Sequence, residues 1–454
     1  TRGLLLLTAT PMQLHPVEVW DLLIQLGMAG RWGASSHYFL RYFEELRKAR
    51  SHWDRVDWRF VTAMARDELD HGGPVAREIA STLEQQLGVA RWHRLQQLLK
   101  SPDPKPQILT IREPAERAAF LRLLHHLTPL RRRMYRHTRN LLRTYRDKGL
   151  LPGKLADRDP DPRWIPMEPE ERTLYDRVEE YISYFYKKYE GERKGLGFVM
   201  TVYRRRLTSS FYALEQSLQR RLAFLQGETT DIGITDEDLE EDELQLDVEE
   251  LIEEDDQRLA SIFEEEIEYV EDFLARLRNL GTDTKYDQLV QDLGKALAER
   301  PSVVLFTQYT DTMDYLRDKL RHVYGRRVAC YSGRGGERWT GTGWAPVGKE
   351  EIKRAFRDGE IQILLGTDAL AEGLNLQTCG VEINYDVPWN PMRLEQRIGR
   401  VDRIGQSFDV VWIWNYFFED TIEAKVYRRL SDRIDWFKGV VGPLQPILHR
   451  VGQT

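Results

Sequence analysis

Cysteine is nearly absent from this chain, with two in 454 residues, Cys330 and Cys379. Two thiols cannot build a disulfide framework or a metal cage, and both sit in strand-like runs, so reduced cysteines in a cytoplasmic protein are expected. Long apolar runs are missing too. No stretch approaches the ~18 uncharged apolar residues of a membrane span, so no membrane-spanning helix and no membrane partner are expected. The opening Thr1-Arg2-Gly3, four leucines and Thr8 lack a signal peptide's basic start, long apolar core and small-residue cleavage site. No repeat recurs at a fixed period. No G-x-S-x-G elbow occurs, and the ten histidines stand in no metal-ligand spacing, so neither a serine-nucleophile elbow nor zinc chemistry is expected.

What is present is apolar content for packed cores, 41% hydrophobic residues, over a length that implies two or more domains. The net charge of −7 averages two unlike parts. Between Asp236 and Asp256 lie fourteen acidic residues and no Lys or Arg; without them the rest carries +7. Residues 101–150 hold twelve Lys/Arg against four Asp/Glu. A basic body interrupted by one acidic insertion suits a polyanionic partner.

From about Ser302 short β-type runs alternate with amphipathic stretches. Strands are expected at 303–307, 328–331, 361–367, 381–385 and 410–414, and helices at 311–323, 349–357, 392–401 and 421–437. This alternation predicts an α/β fold with a parallel sheet covered on both faces. Leu4–Leu7 is expected as a buried strand before a helix through Val17–Leu26, too little to form a domain alone, so the chain is expected to begin inside one. Residues 35–150 and 168–226 have helical spacing.

The strongest chemical signal is Gln396-Arg397-Ile398-Gly399-Arg400-Val401-Asp402-Arg403-Ile404-Gly405-Gln406. Arg400 and Arg403, three apart, share a face if helical, and two guanidinium forks suit the charge that develops on a transferring phosphoryl group. Thr307, Gln308, Ser332, Gly333 and Thr367 fall at strand C-terminal ends, the edge where open parallel sheets bind ligands. Their short polar groups suit phosphate-backbone contact; singly, each is equally an ordinary turn residue. Residues 131–148 interleave seven arginines with Tyr135 and Tyr145, which fits a nucleic-acid backbone or pairing with the acidic run. That run reads as a solvated insertion, or as a DNA mimic over the basic cleft.

The eleven-residue string resembles motif VI of superfamily-two helicases, and of Swi/Snf-type DNA translocases in particular. Other stretches are similar in the right order. Leu7-Thr8-Ala9-Thr10-Pro11 resembles motif III, and Leu130–Arg139 with Leu151-Pro152 resembles the basic brace and the element after it. Val304–Tyr309 is similar to motif IV, and Gly366-Thr367-Asp368 with Glu372–Leu376 to motif V, with Asp386 and Trp389-Asn390-Pro391 downstream. Details such as Thr421-Ile422-Glu423 lean to the bacterial RapA-like branch; a related branch serves in phage defence, including DISARM-type systems.

The resemblance implies RecA-like parallel-sheet lobes with a large α-helical insertion. In those terms residues 1–30 end a first lobe and 31–160 are a helical extension with the brace. Residues 161–281 are a helical linker carrying the acidic insertion 236–256, and 282–454 are the second lobe. It implies ATP with Mg²⁺, whose ligands lie mostly in the first lobe, and double-stranded DNA as partner, with other defence-system subunits or RNA polymerase beside it. Arg400, Arg403 and Gln396 become catalytic, and Gly373, Asn375 and Asp402 cofactor-binding. Thr307, Gln308, Ser332, Gly333, Thr367, Asn390, Arg136 and Arg139 become DNA-binding, and Thr8, Ala9 and Thr10 couple ATP state to lobe movement. An RNA remodeller, an RNA-polymerase-recycling ATPase and a non-catalytic scaffold are the alternatives. The sequence departs from the pattern by lacking both G-x-x-x-x-G-K-[ST] and D-E-x-H. Gly343–Lys349 has phosphate-loop spacing, but Glu350 stands where a hydroxyl belongs, and six glycines in 333–348 predict a surface loop.

Overall fold

The computed structural model describes residues 4–7, 17–72, 77–135, 138–192, 197–229 and 257–425, with a few single positions besides. It divides into two compact units, built on residues 1–142 and 143–432.

The first unit is helical, as the Leu/Arg/Glu spacing predicts. Its main helices are Val17–Gln25, Ser36–Lys48, Trp58–Gly72, Arg77–Leu87, Val89–Lys100 and Pro114–His126. Trp32, Phe39, Tyr42, Trp58 and Phe120 are buried in its core. The polar tips of the large rings are satisfied: the Trp32 indole donates to Met64 O at 3.0 Å and the Tyr42 hydroxyl to Leu124 O at 2.8 Å. Leu4–Leu7 is not the buried strand expected. Those residues have no strand conformation, and Leu5 and Leu7 are 79% and 87% exposed. A strand needs a neighbour for its ladder, and none pairs with it among the described residues.

The second unit is α/β. Its strands are β1 Asp157–Ile165, β2 Val303–Phe306, β3 Val328–Ser332, β4 Gly335–Trp339, β5 Trp344–Val347, β6 Ile363–Gly366, β7 Val381–Asn384 and β8 Val410–Phe418. They form one sheet in the order β1-β8-β7-β2-β6-β3-β4-β5, parallel from β1 to β3 and antiparallel through β4 and β5. β2 and β6 are buried throughout, as continuous apolar runs between two covered faces should be, and β7 is buried throughout although it carries Glu382 and Asn384.

Two parts of this sheet depart from expectation. β1, sequence DRDPDPRWI, pairs along all nine residues with β8. Asp157 N–H donates to Asp409 O at 2.8 Å, so odd positions aim their N–H groups at the partner. Pro160 and Pro162 occupy the other parity, on the open side of an edge strand, where a missing donor costs nothing. The glycine-rich stretch 333–348 is not a wandering loop but the β4–β5 hairpin. Gly336 allows its close packing, since a Cβ there would meet Val347 O at 2.6 Å. Most of the phosphate-loop look-alike therefore lies in strand β5.

Helices Pro169–Glu192, Phe198–Ser209, Phe211–Leu225 and Gln257–Asn279 pack in the same unit around Tyr181, Phe185, Tyr203, Leu214 and Phe273. The acidic segment 236–256 lies outside the described residues except Asp238. That residue is not solvated: it is fully buried, and Arg206 donates to its two carboxylate oxygens at 3.1 and 2.8 Å.

Candidate functional site

The C-terminal ends of β2, β6 and β7 lie side by side, because those strands are neighbours in the sheet. Asp386, just past β7 and buried, gathers the groups around it. Its carboxylate accepts from the Thr307 hydroxyl at 2.5 Å, the Gln308 N–H at 2.7 Å and the Ser209 hydroxyl at 2.5 Å. Ser209 ends the helix Phe198–Ser209, so the helical insertion is tied to the loop after β2. Lys285 fixes the same helix end by donating to Thr208 O at 2.7 Å.

The helix Pro391–Val401 carries most of the motif VI string. Asn390 caps it, accepting from Met392 N–H at 2.9 Å, and Pro391 opens it where no N–H is needed. Arg397 is fully buried beneath it. It donates to Asp368 Oδ1 at 2.7 Å, Asn384 Oδ1 at 3.2 Å and Asp386 O at 3.0 Å, joining the ends of β6 and β7 to the helix. Arg393 gives Asp368 a second cation at 3.1 Å. Below them, the Asn384 amide donates to Glu382 Oε1 at 3.0 Å. Burial pushes the Glu382 carboxyl up to about 8, against the smaller opposing pull of Asn384, Arg397 and Arg158.

Arg400 and Arg403 do not share one helix face. The helix ends at Val401, and Asp402 takes φ −82° and ψ 83°, which turns the chain before Arg403. Arg403 folds back, its Nε donating to Gly399 O at 3.0 Å, and both arginines are half-buried. Two residues at the end of the string hold that turn. Gly405 adopts φ +90°, open to glycine, and Gln406 donates to Val401 O at 2.7 Å and Cys379 O at 2.9 Å.

Asp402 is buried with its carboxylate given to Arg158, whose Nε lies 2.6 Å away. It therefore meets a protein cation rather than facing outward as a cofactor ligand. Gly373 ends the helix Asp368–Gly373, and Asn375 bonds to Gln377. Gln396 stands half-buried on the helix Pro391–Val401. The backbone-contact residues divide. Thr307 and Asn390 are 1% and 3% exposed with inward hydrogen bonds. Ser332 is buried and accepts from Arg334 N–H at 3.2 Å. Thr367 is 5% exposed and precedes the helix Asp368–Gly373. Gln308 is half-buried, and Gly333 has open space where a side chain would project. Arg139 opens the helix Arg139–Asp147 and belongs to the other unit. Thr8, Ala9, Thr10 and Arg136 lie outside the described residues. Arg158 and Ser209 escaped the sequence reading, and Arg397 and Asp368 entered it only as members of motif strings with no role of their own; a charged residue in a strand-like run was the available sign for Arg158.

Both cysteines are free and buried, with burial pushing Cys330 up to about 12 and Cys379 to about 11. Among the described residues no group of His, Cys, Asp or Glu could hold a metal ion, and no helix is long and apolar enough to cross a membrane.

Residues 284–405 match the helicase conserved C-terminal domain. The matched stretch runs from the helix before β2 to Gly405 in the arginine string. The uncharacterized ATP-dependent helicase YqhH of Bacillus subtilis is 39% identical over 176 residues, 39% of this chain and 29% of that protein. The RNA polymerase-associated protein RapA of Sodalis glossinidius is 30% identical over 157 residues, 34% of this chain and 15% of RapA. The chain spans less than a third of the length of these curated relatives. Among solved structures, the C-terminal part of the Fun30 ATPase domain aligns over 62% of this chain and 90% of its own, at 17% identity and TM-score 0.36. The Sulfolobus solfataricus SWI2/SNF2 ATPase C-terminal domain aligns over 62% and 86%, at 14% and 0.34.

Proposed function

We propose that this chain is the C-terminal portion of an ATP-dependent, double-stranded DNA translocase of the Swi/Snf type. The observation that carries the reading is the buried lattice of Arg397, Asp368 and Asp386. It joins the loops after β2 and β6, where Gln308 and Thr367 stand, to the helix that carries Arg400 and leads to Arg403. A phosphate-backbone face and a pair of arginine fingers on one lattice form a device in which nucleotide state and grip on DNA are felt together. Arg400 and Arg403 neutralise charge on the transferring phosphoryl group; ATP and Mg²⁺ are held mostly by the partner lobe, and this chain's residues orient the fingers. In the intact protein, Arg400→Ala or Arg403→Ala should lower kcat by roughly 10³-fold or more. ATPase within about tenfold of wild type would defeat the assignment.

The similarity to RapA favours a second reading, in which the ATPase works on RNA polymerase. Comparing stimulation of ATPase by duplex DNA, RNA and purified polymerase separates the two.

A further inference from the structure

We propose that Arg158 is a positioning residue for the arginine-finger helix, an inference that rests on the finger reading of Arg400 and Arg403. β1 fixes the register, placing Arg158 opposite Val411 of β8. From there the guanidinium, 4% exposed at its side chain, reaches two carboxylates on the finger segment. It gives Nη1 and Nη2 to Glu395 at 2.6 and 2.9 Å and Nε to Asp402 at 2.6 Å. Glu395 and Asp402 bracket Gln396, Arg397 and Arg400. One planar fork therefore fixes both the rotation of the helix and the place where the chain leaves it toward Arg403.

A second contact comes from the same stretch of chain. Gly405 N–H donates to Lys154 O at 2.9 Å. Gly153 lies so close that an added Cβ would stand 3.2 Å from the Gly405 Cα. Residues 153–158 thus hold the finger segment at Glu395, Asp402 and Gly405. Buried charge triads are often no more stabilising than apolar side chains of the same shape, so stability alone is a poor reason for this one. Fixing the direction of two catalytic guanidinium groups is a better one, since a displacement of about 1 Å can cost about 100-fold in rate.

The test uses the intact protein, first lobe included, with steady-state and single-turnover ATPase in the presence of duplex DNA. Arg158→Met should lower kcat by about 10- to 100-fold while the KM for ATP and the affinity for duplex stay within about threefold. Arg158→Lys, which reaches one carboxylate but cannot fork across two, should fall between it and wild type, and it serves if the methionine variant does not fold by circular dichroism. In an Arg400→Ala background, Arg158→Met should add little further loss, because the finger it aims is gone. A folded Arg158 variant with kcat within twofold of wild type would overturn the proposal, as would a full additional loss on top of Arg400→Ala. An Arg400→Ala enzyme that stays active would instead overturn the finger reading, and this proposal would fall with it.

Discussion

Replacing Glu382 with glutamine should leave the protein nearly unchanged at low pH and make it more stable than wild type as pH rises. Glu382 is fully buried on β7, with Oε1 accepting from Asn384 and Oε2 without a partner. Burial holds its carboxyl at about 8, against an ordinary 4.5. A group whose folded value lies above its unfolded value contributes stability that is complete below about pH 4.5 and is lost as pH climbs through 8. The wild-type protein should therefore lose up to about 1.4 kcal/mol per pH unit relative to Glu382→Gln across that window, or about 5 kcal/mol in all. Glutamine keeps the oxygen that accepts from Asn384 and stays neutral, so it copies the protonated acid. The assay is urea denaturation followed by tryptophan fluorescence at pH 5, 6, 7 and 8. Other titrating groups act equally on both proteins and cancel in the difference. A difference flat to about 0.5 kcal/mol over that range would show that Glu382 is ionised throughout.

Three further outcomes follow from the same geometry. Asp386→Ala leaves two buried hydroxyls and the Gln308 N–H without their acceptor and should cost about 4 kcal/mol, read as a lower urea midpoint with unchanged slope. Gly366→Ala places a Cβ 2.6 Å from Leu370 and 2.9 Å from the immovable Tyr331 O, so a loss of about 1–3 kcal/mol is expected; no loss would mean that the loop before Asp368 is looser than its packing implies. A fragment beginning at residue 282 removes β1 and bares nine residues of β8, and it should aggregate in size-exclusion chromatography where residues 143–432 remain monodisperse.

Much of this fold was legible where burial is symmetrical. β2 and β6 announce themselves because both faces are covered and their residues are apolar or glycine, whereas β7 is buried just as completely with Glu382 and Asn384 among its four residues. β1 does not, since its sequence alternates aspartate, arginine and proline, and only pairing with β8 makes it a strand. The hairpin after Ser332 was hidden by its glycines, of which Gly336 serves close packing while Gly335 and Gly341 take the positive φ of the turns at either end of β4. Leu4–Leu7 shows the converse, an apolar run with no neighbour to pair with. At the site, the spacing of Arg400 and Arg403 marked the segment but misjudged its shape, because the helix ends at Val401 and the Asp402 carboxylate is held by Arg158, 244 residues earlier in the chain. Asp386 was visible only as part of a motif, since its partners come from three separate segments.

The pairing of β1 with β8 also has a consequence in time. About 250 residues separate Asp157 from Val410, its register partner. At synthesis rates of ~5–20 residues per second, β1 leaves the ribosome roughly 10–50 s before the strand that will receive it exists. Through that interval a hydrophobic segment would be a hazard, whereas DRDPDPRWI, with its prolines and alternating charges, resists premature pairing. The composition that disguised this strand in the sequence is what keeps it available until β8 arrives.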